Sequence, residues 1–383
     1  MGAVRVGVVG LGAAGMFAAL ALARRGAQVT GFEQFSIGHD RGASAGETRL
    51  FRVLYGEGSI YTDLLLRARE LFLELGQQAG TSLLDTYGAL TIGDRSVGWL
   101  ASMIDSAEKR GLPCSVLDRR DMARKYPQYG AIGETDVAIL DPMGGIVRSN
   151  ESIARAAMAA KALGARLHDW TTVTSVEEDG AKAVISTAEG EQRFDHVIVA
   201  TGPWAKKLLP SARLTVRPVL QTHHVSLDST HAGASFPPAM VMRGNVMIYG
   251  VQPMPDSHIV KYFSDGLADY RGDDDEVAAN FAASRHDVSD DYFRKVAAEI
   301  PGRFPGLRPE ASRGYTYYEG YTPDKAPLID RQHPTSRIIH MVGLSGHGFK
   351  LAPAYGEIAA NIALDTTPPV ARAFALSRFD HAA

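Results

Sequence analysis

The sequence predicts an α/β fold in which a helix-covered parallel sheet is interrupted by a second, antiparallel sheet. Three observations carry that expectation. The first 35 residues read strand, glycine turn, helix, strand, the repeating unit of a parallel sheet. Between Val216 and Phe263 this texture gives way to short alternating runs of the antiparallel kind. The chain has 383 residues, room for two or three domains at ~150 residues each.

The elements follow in order. Val4, Val6, Val8 and Val9 form a β-branched run bounded by glycine, and Val29–Phe32 is the returning strand. Between them, alanine-rich Met16–Arg25 has good helix formers and stops at Gly26. Leu64, Leu65, Ala68, Leu71, Phe72 and Leu75 recur at helical spacing, predicting a helix over Tyr61–Leu75 ended by Gly76. Val97–Arg110 is a further helix, closed by Gly111, and Asn150 reads as the N-cap of another running through Leu163 to Gly164. An apolar strand, His196–Ala200, leads into Thr201-Gly202. Thr222–Val225, Met240–Met242, Val246–Tyr249 and His258–Phe263 predict the antiparallel sheet. A helix over Ser289–Ile300 ends at Pro301; strand Ile338–Val342 then precedes a helix over Pro353–Leu364. The expected division is therefore discontinuous, with residues 1–85, 142–215 and 315–383 in a nucleotide-binding domain and 86–141 and 216–314 in a substrate domain.

Composition narrows the function. Hydrophobic residues are 45% and charged residues 22%, a globular balance. Forty Lys and Arg against 43 Asp and Glu, net −3, favour neither nucleic acid nor an anionic membrane as partner. The single cysteine, Cys114, excludes an internal disulfide and a cysteine-rich metal site, and no metal is expected. No apolar run approaches the ~18 residues of a membrane span. Gly15–Ala23 is apolar enough to resemble part of a secretion signal, but its glycine and flanking strands assign it to the fold, so a cytoplasmic enzyme is expected.

Gly10-Leu11-Gly12-Ala13-Ala14-Gly15 lies between a strand and a helix. Glycine there permits the tight turn, lets a pyrophosphate approach the backbone and allows close helix–strand packing, while the helix start presents N–H groups to phosphate. Glu33 ends the second strand, where an acid accepts from a ribose hydroxyl and favours FAD or NAD over NADP. Two further segments bear on that choice. Arg41 to Arg52 is a polar run of small residues able to lie against a flat ring. Strand Ile338–Val342 enters Gly343-Leu344-Ser345-Gly346-His347-Gly348-Phe349-Lys350, a second glycine-rich turn whose donors suit the electron-rich edge of a reduced flavin.

With these residues in hand, the chain resembles the monomeric sarcosine oxidase and N-methyltryptophan oxidase family of flavin amine oxidases, within the D-amino-acid oxidase superfamily. The resemblance covers nearly the whole chain. It rests on GLGAAG with Glu33, Gly46-Glu47-Thr48-Arg49 through Arg52, Tyr55-Gly56-Glu57-Gly58, Ala200-Thr201-Gly202-Pro203-Trp204, Tyr321-Thr322-Pro323-Asp324, Asp330 and Ser345–Lys350. It implies a Rossmann-like FAD-binding domain of the glutathione-reductase type, interrupted by a substrate domain of antiparallel sheet plus helices. The implied cofactor contacts are Gly10, Gly12, Ala13, Ala14, Gly15, Glu33, Gln34, Ser44, Thr48, Arg49, Val173, Thr201, Gly202, Trp204, Gly346, His347, Gly348, Phe349 and Lys350. Arg52 and Lys350 are implied to bind the substrate carboxylate, Tyr249 to line the substrate cavity, and Arg49 to support anionic reduced flavin. Lys261, a charge within the apolar run Ile259–Phe263, is implied to promote reaction with dioxygen. Arg49, Arg52, Lys261 and Lys350 are thus the expected catalytic set.

Departures from the family pattern shape the remaining expectations. No cysteine precedes the Thr-Pro-Asp segment, and Ala43-Ser44-Ala45 stands where relatives with histidyl attachment carry a histidine, so FAD is expected to be non-covalent and Cys114 inert. Ser264-Asp265-Gly266 replaces the family's histidine after the cavity lysine, and tyrosines at 315, 317, 318 and 321 suit a larger or cyclic substrate. The expected reaction is oxidation of the C–N bond of a secondary or cyclic amino acid to an imine, with O2 giving H2O2, in a monomer or small homo-oligomer. A flavin dehydrogenase serving a quinone or carrier, a non-catalytic flavin-binding sensor, and an NAD(P)H-dependent hydroxylase are the competing readings.

Overall fold

The computed structural model describes residues 2–56, 58–208, 214–227, 236–243, 246–251, 259–265 and 289–379. Its first sheet has six strands, in spatial order Leu328–Arg331, Ile338–Val342, His196–Val199, Arg5–Val9, Gln28–Phe32 and Arg166–His168. All neighbours are parallel except the first pair. The strands are covered on both faces, which is why they read as continuous apolar runs. Val6, Val8, Ile198, Ile339 and Met341 face the helices Ala13–Arg24, Ser59–Ala79, Ser149–Ala162 and Gly348–Ala363. Val9, Val197, Val199, Ile338 and Val342 face a small antiparallel sheet of Val173–Asp179, Lys182–Thr187 and Gly190–Phe194. Gly7 follows the same alternation, since a side chain there would meet the Ile185 methyl at 2.6 Å.

A second sheet has eight strands: Arg313–Tyr321, Thr215–Val225, Ile259–Asp265, Val246–Val251, Ala239–Arg243, Ala89–Asp94, Asp136–Asp141 and Ser115–Leu117. The expected antiparallel sheet is in fact mixed, because Ala239–Val241 pairs parallel with Leu90–Ile92. Strand Arg313–Tyr321 lies at its edge, although most of that strand belongs by sequence to the nucleotide-binding segments. One face, with Leu220, Val241, Ile248, Val260 and Tyr262, packs on Tyr292, Val296, Ile300 and Phe304. The other face carries Gln221, His223, Tyr249, Lys261, Tyr315, Tyr317 and Glu319, which the register places together. A short sheet of Thr48–Phe51, Gly145–Arg148 and Leu84–Asp85 lies beside it.

Several helix limits differ from the sequence reading. Gly76 lies inside helix Ser59–Ala79, which ends at Gly80 with φ 65°. It is glycine because the Thr81 carbonyl oxygen would stand 2.7 Å from its Cβ. Pro301 lies within Asp290–Arg303, whose last turn is held by Arg303 donating to Glu299 (2.9 Å) and to the Val241 carbonyl (3.3 Å). Arg148, not Asn150, is the N-cap of Ser149–Ala162, because the Ser149 N–H and hydroxyl bind the carbonyls of Glu47 and Gly46. The last long helix begins at Gly348, with Pro353 in its second turn, where only one ladder bond is lost. His258 lies outside the described residues. Among those described, no helix is long and apolar enough to cross a membrane.

The first and last of these helices approach unusually closely. A Cβ on Gly356 would lie 2.6–2.8 Å from backbone atoms of Phe17 and Ala18. Backbone cannot rotate away as a side chain can, so G356V forces the helices apart at a cost of about 1–3 kcal/mol. We expect a lowered Tm in this variant, measured by thermal unfolding.

Burial also sets a pH dependence. His196 and His340, in the central strands, are 3% and 2% exposed. Burial lowers both from the ordinary 6.5 to about 4, helped at His196 by Arg331 and Arg337. His223 and His347 are lowered to about 3. The unfolded chain binds protons at these rings below pH 6.5 and the folded chain does not, so stability rises with pH through this window. Unfolding free energy should therefore fall progressively from about pH 6.5 toward pH 4; denaturant titrations giving equal stability at both ends would contradict this.

Candidate functional site

The site begins where strand Arg5–Val9 ends. Gly10 has φ 87°, its N–H donates to the Phe32 carbonyl at 2.8 Å, and a Cβ would stand 2.7 Å from the Ala200 oxygen. Gly15 is tighter still, with its Cβ position 1.9 Å from the Gly10 oxygen. Ser44 Oγ accepts from the Ala13 N–H at 2.9 Å, docking the Arg41–Arg52 segment on the helix start. Glu33, 4% exposed, accepts from the N–H groups of Leu11 (2.9 Å) and Phe35 (3.1 Å), and His39 Nε2 lies 3.4 Å from it. The motif's acid thus fixes the turn itself and keeps acceptor capacity for a ligand.

These residues open on a cavity of about 430 Å³. Of the residues expected at the cofactor, Gly10, Gly12, Ala13, Ala14, Glu33, Gln34, Ser44, Arg49, Val173, Thr201, Gly202, Trp204, Gly346, Gly348, Phe349 and Lys350 line it. Gly15, Thr48 and His347 do not. Gly15 serves packing, and the Thr48 carbonyl accepts from Arg49 Nη1 at 2.9 Å and from Lys261 Nζ. The His347 ring is stacked on Tyr61 with centroids 5.4 Å apart, and its Nδ1 shares a 2.5 Å hydrogen bond with Tyr55 OH. Sequence reasoning missed Glu319, His39, Lys207 and the Thr171, Thr172 and Thr174 neighbours of Val173. Glu319 did carry a signal, as a lone acid among the tyrosines of Arg313–Tyr321.

The cations are gathered next to this cavity. Arg49 donates to the carbonyls of Thr48, Ala43 (3.0 Å) and Ala45, and its guanidinium lies 5.8 Å from the Phe349 ring centroid. Burial lowers its pKa, opposed by Tyr317 and Glu319. Arg52, 4% exposed, and Lys350 both stand over Tyr55, at 4.8 and 4.9 Å from the ring centroid. Their charges add to burial in suppressing His347 protonation. Asp141 holds the segment after Arg52 by accepting from the N–H groups of Val53 (2.5 Å) and Leu54 (3.0 Å). Lys261 is 2% exposed in an internal strand, not the solvent side of an edge strand, and burial followed by the charge of Arg49 lowers its pKa well below the ordinary range. Tyr249, half-buried, shares its sheet face two residues from Val251, the register partner of Lys261. Cys114 is half-buried, packs on the Leu100–Met103–Ala107 cluster, and is not part of the lining; burial raises its thiol pKa.

The cavity suits a long, doubly anionic, partly flat ligand. Two helix starts, at Gly12 and His347, neither closed by its own N-cap side chain, come together at it. Each offers N–H groups and a partial positive charge, one where a pyrophosphate would lie and one beside Arg49 and Phe349.

Comparison with known proteins agrees. Residues 5–362 match the family of FAD dependent oxidoreductases. The N-methyl-L-tryptophan oxidase of Yersinia pestis (strain Pestoides F) is 30% identical over 376 residues, covering 97% of this chain and 98% of the relative. Among solved structures, L-proline dehydrogenase from P. horikoshii superposes with a TM-score of 0.83 at 20% identity, covering 99% and 98% of the two chains. Glycine oxidase from Geobacillus kaustophilus gives 0.78 at 19%, covering 98% and 99%. These two likenesses show a shared fold. The glycine turn with its acid, the second helix start and the near-full-length match lead to one assignment: the chain belongs to the FAD dependent oxidoreductases, as an enzyme of their amino acid oxidase group.

Proposed function

We propose that this enzyme oxidises the C–N bond of a secondary or cyclic amino acid, an N-methyl amino acid or imino acid, to the imine, and that O2 is the final acceptor, yielding H2O2. The observation that carries this reading is the convergence of Arg52 and Lys350 on one ring, Tyr55, from opposite ends of the chain. Tyr55 is itself fixed by His347. A carboxylate entering between the two cations meets a planar fork of donors and a point charge. Tyr249, Tyr315 and Tyr317 share the sheet face of Lys261 and Glu319, although none of the three lines the cavity itself.

FAD, when bound, supplies the acceptor for the hydride equivalent. The protein's part is placement and electrostatics. Arg52 and Lys350 hold the acid so that its nitrogen-bearing carbon faces the ring site beside Phe349. Desolvation favours the neutral amine, so no side-chain base is required. Arg49 places fixed positive charge where negative charge accumulates. Lys261, anchored on the Thr48 carbonyl, stands ready to stabilise superoxide as O2 is reduced. Water then hydrolyses the imine, or a cyclic imine leaves intact. In this reading residues 1–85, 142–215 and 315–383 hold FAD, and 86–141 and 216–314 cover the substrate, in a cytoplasmic monomer or small homo-oligomer. FAD is held without a covalent bond, a reading supported by a lining that contains no cysteine.

Anaerobic bleaching of the flavin by sarcosine, N-methyl amino acids, proline, pipecolate and ordinary L- and D-amino acids tests the reaction. Bleaching by a secondary or cyclic member is expected, and failure of the whole panel would remove the proposal. R52A should raise the half-saturating substrate concentration about 10- to 100-fold, the loss of a charged hydrogen-bonded contact. K261M should slow reoxidation by O2 about 100-fold and leave anaerobic bleaching intact. Negligible peroxide from a rapidly bleaching wild type would instead assign the electrons to a quinone or carrier. Denaturation should release all yellow colour into the supernatant; colour remaining on the polypeptide would overturn non-covalent binding.

A further inference from the structure

Glu319 has no part in the scheme above. It sits in strand Arg313–Tyr321, on the face shared with Tyr315 and Tyr317, and lines the cavity. Two carboxylates do so among the described residues, Glu33 and Glu319. Glu33 accepts from the N–H groups of Leu11 and Phe35 at the first glycine turn, where its remaining capacity suits a ribose hydroxyl. Glu319 accepts from Tyr321 OH at 3.1 Å and from the Gly346 N–H. A carboxylate has about four acceptor positions, so these two bonds leave capacity toward the cavity.

The surroundings explain how an acid persists there. Burial opposes its ionisation, and Arg49 and Lys350 favour it. Tyr321 is itself held under the Arg217 guanidinium, 5.2 Å from its ring centroid. Lys350 therefore belongs to two neighbourhoods at once, the Arg52–Tyr55 group and the field of Glu319. A site built from Arg49, Arg52 and Lys350 alone repels an ammonium group. A half-buried acid beside them reverses that for the nitrogen end of a zwitterion.

We propose that Glu319 binds the ammonium nitrogen of the substrate as the zwitterion enters, so that the site grips an amino acid at both ends, carboxylate on Arg52 and Lys350 and nitrogen on Glu319, the ammonium proton being lost before the neutral amine is oxidised. This assignment rests on the cavity being an amino-acid site, and it makes Glu319 the residue that selects amino acids over acids lacking the amine.

The test compares 2-aminoisobutyrate with pivalate in the FAD-loaded enzyme. The two differ by an ammonium in place of a methyl group, and neither can be oxidised at an α C–H or an N-methyl group. Dissociation constants come from calorimetry or from perturbation of the visible flavin spectrum. The wild type should prefer 2-aminoisobutyrate by about tenfold or more, the worth of one charge-assisted contact. E319Q, with flavin content verified first, should bring the two constants to within about threefold of each other, chiefly by weakening 2-aminoisobutyrate. Y321F removes one donor to Glu319 but keeps its charge, and should retain the preference. The assignment is overturned if E319Q keeps the wild-type ratio, or if Y321F abolishes it as fully as E319Q. It also fails if the wild type binds both acids equally, a comparison that stands even where E319Q does not retain flavin. Binding of neither acid by the wild type would count against the amino-acid site itself.

Discussion

Helix Ala13–Arg24 and helix Gly348–Ala363 meet backbone to backbone at Gly356, and the geometry of the site follows from that contact. Each helix begins at a glycine-rich turn leaving a strand of the same parallel sheet. Alanine and glycine along the shared face let the axes approach closely, which brings both helix starts to one cavity. A bulkier residue at the crossing would separate the two ends, and the two ligand-facing turns would no longer address one molecule.

Gathering four cations near one cavity, with Arg52 and Lys261 buried and Arg49 and Lys350 half-buried, is the second constraint. Lysine and arginine are rarely buried without partners, because desolvation costs more than any single contact returns. The chain meets this with backbone carbonyls: Thr48, Ala43 and Ala45 accept from Arg49, and Thr48 accepts from Lys261. Aromatic faces take the rest, with Tyr55 under Arg52 and Lys350. The mutual repulsion that remains appears in the lowered pKa values of Lys261 and His347, to which neighbouring cations contribute. Such a cluster is costly for an empty protein and well suited to an anionic ligand.

The eight-stranded sheet shows how strand alternation divides structure from chemistry. Even-numbered Leu220, Val260, Tyr262 and Ile248 anchor the sheet to helix Asp290–Arg303. Odd-numbered Gln221, His223, Lys261, Tyr249, Tyr317 and Glu319 share the opposite face. A one-residue slip in register would exchange the two sets, so the apolar face that stabilises the sheet also fixes where its polar groups point.

Much of this was legible in the sequence, and for a local reason. A glycine turn between strand and helix, an acid at the end of the next strand, and a second glycine turn late in the chain encode their geometry within a few residues, so the parallel sheet and the turns that line the cavity could be read directly. Lys261 was legible as an anomaly, a charge in an apolar strand. The helix limits at Gly76, Pro301 and Pro353 were not, because contacts from distant segments override local punctuation there: the Thr81 carbonyl at Gly76, the Val241 carbonyl bound by Arg303. The meeting of Arg52 with Lys350 over Tyr55, and the entry of Glu319 into the cavity, depend on which strands pair and in what register. Composition and spacing carry no such information. The sequence determined the two glycine turns and the inventory of charges; tertiary packing alone decided which charges face one another, since that is fixed by contacts between residues far apart along the chain.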